Sequence, residues 1–360
     1  MPTVADIARK LGAVLDTYVP ERTEPDLLVP ANDYFELAGE EFGRRLMLTT
    51  GVDGHNYCLR PDFTLPVAQG FLRNGSGGAA SFGYWGKVFR QRSDGPAEFT
   101  QMGLELLGHA DADDALDKVL RFVVDSLEAA ELTDLTLTFG SVALFEALLR
   151  GADIPEVWVP RLRHRFGNPV ALDALLLRLG SAPAPQEAGA IPDRTQLIAE
   201  ITEQMLTDGL SLTEGRTPAE IADRFIEKRE LEAARVPHDT LGLLKAFLSI
   251  SGGFEHAVAE AARLCAEHDI DVAAPIDTLR RHAARLTDFA PNIALSFAAG
   301  FAPRLHYYTG LVFEVRGQGT DVLASGGQYD RLLSALGADR EIPASGAAIW
   351  VERIGEAANV

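Results

Sequence analysis

Apolar residues at Ile7, Leu11, Val14 and Leu15 return at helical spacing, and with Asp6, Arg9, Lys10 and Asp16 between them they predict an amphipathic helix over Val4–Tyr18. A short apolar segment at 26–30 ends in Pro30. Two strand-like runs, 83–91 and Glu98–Leu107, are joined by the polar turn Arg92-Ser93-Asp94-Gly95-Pro96-Ala97 and read as a hairpin. Over 113–130, Leu116, Val119, Leu120, Val123, Val124 and Leu127 fall on one side of a second amphipathic helix. Leu135, Leu137 and Phe139 then alternate with Thr136 and Thr138, the period of a half-buried strand. From 141 to 252 the signals are helical, broken by the flexible connection Ser181-Ala182-Pro183-Ala184-Pro185. Strands at 311–317 and 322–325 and a helix at 329–336 complete an α+β pattern with antiparallel strands and no internal repeat.

Composition narrows the function. The chain has 360 residues, 47% hydrophobic and 24% charged, enough for a large core: one large domain plus an insertion or a second small one. Lys+Arg 33 against Asp+Glu 52 gives a net charge of −19, which repels phosphate backbones, so a tRNA partner is not expected. Cys58 and Cys265 lie far apart and form no CxxC pair, which suits a reducing cytosol and a cytoplasmic location. Residues 1–20 carry charge throughout instead of an apolar signal core, and no run reaches the ~18–20 apolar residues that span a bilayer. The eight histidines form no HxH or HExxH pair, so no metal site is expected. Gly75-Ser76-Gly77-Gly78 lacks the lysine of a phosphate loop and reads as a flexible connection. Arg161, Arg163, His164 and Arg165 are the densest basic cluster, either a solvated helix face or an anion site.

Chemistry is concentrated in a few segments. They are Leu59-Arg60-Pro61-Asp62-Phe63-Thr64, Phe89-Arg90, Glu98-Phe99-Thr100-Gln101-Met102-Gly103-Leu104-Glu105, Tyr307-Tyr308-Thr309-Gly310-Leu311-Val312-Phe313-Glu314, Ser325-Gly326-Gly327-Gln328-Tyr329-Asp330, and a last motif from Gly346 to Arg353. Gln101 and Glu105 stand four apart on a strand and so share a face. In order and spacing the set resembles the amino-acid-binding segments of histidyl-tRNA synthetases. The resemblance implies a class II aminoacyl-tRNA synthetase-like fold, a six- or seven-stranded antiparallel sheet flanked by helices, with a helical insertion. The catalytic-type domain would comprise 1–140 and 253–360, the insertion 141–252, and no anticodon-binding domain is expected. The resemblance assigns Asp62, Thr64 and Gln101 to a bound ammonium and Glu105 with Tyr308, beside Tyr307, to the two imidazole nitrogens of histidine.

The nucleotide half departs from that pattern. Arg90 and Arg353 stand at nucleotide-side positions and are expected to be ancestral and non-functional, Arg353 pairing with Glu352 or Glu356 instead. Arg92 replaces an acid, Pro303 a catalytic arginine with Arg304 one residue along, and Trp350 a glycine beside the nucleotide. Asp62 stands for a glutamate and Phe63 for a glycine, substitutions that either tighten the pocket or close it. His306 replaces an aspartate and reads as a structural donor. This combination is most similar to the ATP phosphoribosyltransferase regulatory subunits. They imply a non-catalytic protein with no cofactor, dimeric through its amino-terminal region, that assembles with a short-form catalytic subunit in histidine biosynthesis and contributes to feedback by histidine. Two other readings remain open: a truncated amino-acid-activating enzyme, and a scaffold with a dead pocket. Titration with histidine and then ATP separates all three.

Overall fold

The computed structural model describes residues 4–358 except Pro20, Ser76, Gly77, Ser93, Asp94, 181–191, Glu214, Arg304 and Thr320. The proposed connection at 181–185, the middle of the 75–78 segment, part of the hairpin turn and Arg304 therefore lie outside the described residues. In chain order the first elements are α1 (Val4–Tyr18), β1 (Leu28–Pro30), α2 (Asn32–Leu37), α3 (Glu40–Gly43), β2 (Leu48–Thr50), β3 (Asn56–Leu59) and α4 (Thr64–Arg73). The hairpin β4 (Ala80–Phe89) and β5 (Glu98–Leu107), helix α5 (Ala112–Ala129) and strand β6 (Thr136–Ser141) follow. Helices α6 (Val142–Gly151), α7 (Val159–Arg165), α8 (Pro169–Gly180), α9 (Arg194–Thr207), α10 (Pro218–Ala233) and α11 (His238–Ser249) come next. The chain continues through β7 (Ser251–Gly253), α12 (Phe254–Ala266), α13 (Ala273–Phe289), β8 (Ala294–Ala298), β9 (Leu311–Arg316), β10 (Val322–Gln328), α14 (Leu332–Ala335), β11 (Ala344–Trp350) and α15 (Val351–Ala357).

Helix α1 buries Ile7, Leu11 and Leu15, the stripe its sequence carries. Helix α5 starts where Asp111 accepts the Asp114 N–H, and the acids Asp113 and Asp114 in its first turn favour the positive end of the helix. Its apolar side, from Leu116 to Leu127, is buried, and α5 packs on α1, α13 and β11.

Contacts divide the chain into two compact units, 1–148 with 247–360, and 149–246. The first holds an eight-stranded sheet, order β4-β5-β11-β10-β9-β6-β8-β7, and a separate three-stranded sheet, β1-β3-β2. The large sheet is thus wider than six or seven strands, and it is mixed: β6 and β8 run parallel, while its other neighbours are antiparallel. Parallel neighbours need a long crossover, and here the connection is residues 142–293. The extra strand β7 is Ser-Gly-Gly, whose sequence has no apolar alternation to betray it. The second unit is helical. Thr217 and Glu220 form a capping box ahead of Pro218 in α10, and Arg194 binds Asp223 through two hydrogen bonds of 2.6 and 2.9 Å.

Register fixes which side chains meet. Directly opposed residues share a face. Gln101 on β5 is flanked by Gly86 on β4 and Trp350 on β11, Gly103 by Tyr84 and Ala348, and Glu105 by Phe82 and Gly346. That face carries the site.

Candidate functional site

The turn between β3 and α4 presents Asp62 and Thr64. It is held by a column of stacked groups: the Arg60 guanidinium lies 3.9 Å over the Phe63 ring, which stacks on Tyr84 at 4.2 Å and 8°. Arg60 is itself tied to the carbonyls of Pro25 and Lys87. A Cβ at Gly86 would stand 3.1 Å from Phe63, so the bare strand there makes room for the ring. Phe63 therefore forms one wall of the site.

Glu105 stands at the centre and is 1% exposed. Thr64 Oγ1 donates to its Oε1 at 2.8 Å, Tyr84 OH approaches the same oxygen at 3.4 Å, and Tyr329 OH donates to Oε2. A Cβ on Gly346 would fall 1.6 Å from Oε2, so only glycine leaves the carboxyl its place. Burial raises the Glu105 carboxyl to about 8; the Tyr329, Thr64 and Tyr84 hydroxyls pull against this, and the charge of Asp62 adds to it.

Asp62, 6% exposed, is raised by burial to about 6, opposed by the Arg90 charge, the Leu65 N–H and the Tyr34 hydroxyl. Its Oδ1 takes the Tyr34 hydroxyl at 3.3 Å, while Oδ2 has no partner. Gln101 is 3% exposed, and its Oε1 is likewise without a partner. Each such buried acceptor costs about 1–3 kcal/mol. Tyr307, Tyr308 and Tyr329 form a cluster alongside, with ring centroids 5.1, 5.7 and 6.1 Å apart. The site thus offers acceptors and aromatic faces, the complement of a ligand rich in N–H groups.

Of the expected residues, Thr64 and Glu105 are in direct contact, and the charges of Asp62 and Glu105 act on Tyr307 and Tyr308. Gln101 sits on the same face, one alternate position from Gly103. Thr64 is turned to Glu105, whose carboxyl also takes the hydroxyls of Tyr329 and Tyr84. Three tyrosines, Tyr34, Tyr84 and Tyr329, were not among the expected site residues. Tyr329 lies in the segment Ser325-Gly326-Gly327-Gln328-Tyr329-Asp330, but reads there as the start of a helix; the helix begins only at Leu332.

On the opposite flank, Arg90 is half-buried between the rings of Phe42 (5.7 Å) and Phe99 (4.9 Å), and burial lowers it to about 10 despite the Asp62 charge. Arg92 lies 5.0 Å over Phe99. Trp350, half-buried, stands opposite Gln101 in the register, and Arg353 lies 5.4 Å over its ring. Arg353 donates to the Val322 carbonyl at 2.8 Å and stands 3.9 Å from Asp321, while Glu352 accepts from the Thr100 N–H and hydroxyl. Pro303 is half-buried, and exposed His306 fits over Gly39, where a Cβ would come within 2.4 Å of its ring. In the basic cluster, Arg161 pairs with Glu227 at 2.8 Å within its own unit.

The sheet and its flanking helices define a domain of the class II aminoacyl-tRNA synthetase type. The histidyl-tRNA synthetase family model matches residues 3–166 and 222–354. A solved structure from Bacillus halodurans, described as an ATP phosphoribosyltransferase regulatory subunit/histidyl-tRNA synthetase, shares the fold with a TM-score of 0.66 at 21% identity, covering 99% of this chain and 79% of that one. Histidyl-tRNA synthetase from Nostoc gives 0.63 at 13% identity, covering 98% and 70%. The regulatory subunits of ATP phosphoribosyltransferase from Brucella anthropi and Rhizobium meliloti are each 36% identical, covering 97% and 93% of this chain and 96% and 92% of their own lengths. The chain belongs to the family of ATP phosphoribosyltransferase regulatory subunits, a branch of the histidyl-tRNA synthetase-like proteins.

Proposed function

We propose that this chain binds histidine between Asp62, Gln101, Glu105 and Tyr308 and, assembled with a short-form catalytic subunit, lowers phosphoribosyl transfer when histidine is abundant. The observation that carries the pocket is the pair of buried acceptors, Asp62 Oδ2 and Gln101 Oε1, neither of which has a hydrogen-bond partner among the described residues. An ammonium satisfies both. The imidazole then lies toward Glu105 and the tyrosine cluster, with Tyr308 and Tyr307 as its walls. A ligand that binds two states of an assembly with different affinity shifts their balance, which is all that feedback requires.

The protein itself performs no chemistry in this reading. Trp350 stands opposite Gln101 on the face that carries the site, and an indole takes up about 150–250 Å² of surface that a nucleotide would need. Arg90 and Arg353 are held by Phe42, Phe99, Trp350 and Val322 as structural cations. Self-association belongs to the amino-terminal region, where Leu27, Leu28, Phe35 and Leu48 expose apolar side chains on and around the three-stranded sheet. A cytoplasmic location fits the buried, unpaired Cys58 and Cys265, and among the described residues no helix is long and apolar enough to cross a membrane. Calorimetric titration tests the proposal: histidine binds, ATP does not, and histidine-dependent pyrophosphate exchange is absent. Exchange at the rate of a synthetase would refute it.

A further inference from the structure

Two carboxyl groups share the pocket, and the protein supplies a cation to only one of them. Arg90 acts on Asp62. Glu105 is faced by Thr64 from α4, Tyr84 from β4, Tyr329 after β10, Tyr307 and Tyr308 ahead of β9 and the carboxyl of Asp62, with Gly346 beneath it on β11; among the described residues none of its hydrogen-bond partners is a cation. Two bare negative charges in one water-poor pocket repel and are poorly solvated, so the empty site is most stable with a proton on one of them. The Tyr84 hydroxyl is built for either state. It stands 3.4 Å from Glu105 Oε1 and 3.4 Å from the Ala347 carbonyl, so its single proton can go to the backbone when Glu105 is neutral or to Glu105 when it is charged.

We propose that the pocket exchanges a proton for its ligand: Glu105 is a neutral carboxylic acid in the empty site and ionises when a zwitterionic amino acid with a neutral imidazole enters, releasing one proton to solvent. The inference rests on the histidine pocket proposed above. In the bound state the ligand ammonium donates to Asp62 Oδ2 and Gln101 Oε1, bringing a positive charge to the pair of carboxyls. The imidazole N–H donates to Glu105, whose O–H bond has broken with its electrons left on the carboxylate, and Tyr308 donates to the other ring nitrogen. The raised value of Glu105, about 8, agrees with a neutral acid near pH 7. Histidine binding then strengthens as pH rises, so the sensor reads proton and amino-acid concentrations together.

The test is calorimetric titration of the full chain with histidine at about pH 7.5, above the ordinary imidazole value of about 6.5, in phosphate and in Tris. The two buffers absorb a released proton with different heats. Wild type shows release of most of one proton and affinity rising about fivefold from pH 7 to pH 8, and Glu105→Gln, which cannot ionise, shows no release. Because that variant can lose binding altogether, the wild type is also followed by infrared difference spectroscopy, where added histidine removes a protonated-carboxyl band. Binding without buffer dependence and without loss of the band overturns the exchange and leaves the pocket standing. No histidine binding in either buffer overturns the pocket and the exchange together.

Discussion

Glu105 concentrates the account at the level of single residues. With histidine in the pocket, Glu105→Ala removes the acceptor of an imidazole N–H and weakens binding by about 1.5–3 kcal/mol, the range for a hydrogen bond to a charged group; an unchanged affinity by calorimetry would place histidine elsewhere. The ligand-free protein carries a second signature of the same residue. The folded value lies above the ordinary 4.5, so between pH 4.5 and about 8 the folded state holds more protons than the unfolded one and stability falls as pH rises. Glu105→Gln, permanently neutral, escapes that loss. By urea denaturation it gains on wild type as pH rises toward 8, by on the order of a few kcal/mol; a constant difference across that range would show that Glu105 is not raised. Much of this site was legible in the sequence, because Asp62, Thr64, Gln101, Glu105, Tyr307 and Tyr308 keep the spacing of a known pattern. Tyr84 and Tyr34 were not, because an isolated tyrosine on a strand or short helix carries no sign of which hydroxyl it will reach.

Among the elements, α1, α5 and the hairpin announced themselves, while the small strands and the helices α4, α12 and α13 did not. α1 and α5 have stripes of apolar residues at helical period, and β4 and β5 flank a polar turn, so local pattern and final burial agree. β7 and β8 are read from their neighbours only: Ser-Gly-Gly and Ala-Leu-Ser-Phe-Ala become strands because the sheet edge supplies hydrogen-bond partners. The α5–α13 contact was equally hidden. His282, 0% exposed, places Nδ1 2.6 Å from Asp117 and Nε2 3.3 Å from Asp113, with Arg281 and Arg285 bound to the same acids. Nothing in the sequence separates this histidine from the other seven. His282→Leu leaves both carboxylates facing an apolar group and is expected to destabilise the protein by about 1–3 kcal/mol; an unmoved urea midpoint would mean that the two arginines alone join the helices.

At the scale of the whole molecule, a class II synthetase-like sheet carries the proposed amino-acid pocket with Trp350 opposite Gln101 on the same face, and the chain has a net charge of −19. In the proposed reading such a molecule binds histidine, and its net negative charge disfavours the phosphate backbone of a tRNA. Allosteric coupling of an effector to a partner's substrates typically amounts to 1–3 kcal/mol and is reciprocal, so histidine should weaken substrate binding by the same factor as substrate weakens histidine binding. The most direct measurement is phosphoribosyl transfer by the short-form catalytic subunit reconstituted with this chain, with and without histidine. The wild-type complex is expected to lose activity as histidine is added, and the complex containing Glu105→Ala to need about tenfold or more histidine for the same loss. A complex whose activity ignores histidine, or one inhibited equally with wild type and Glu105→Ala, would contradict the account.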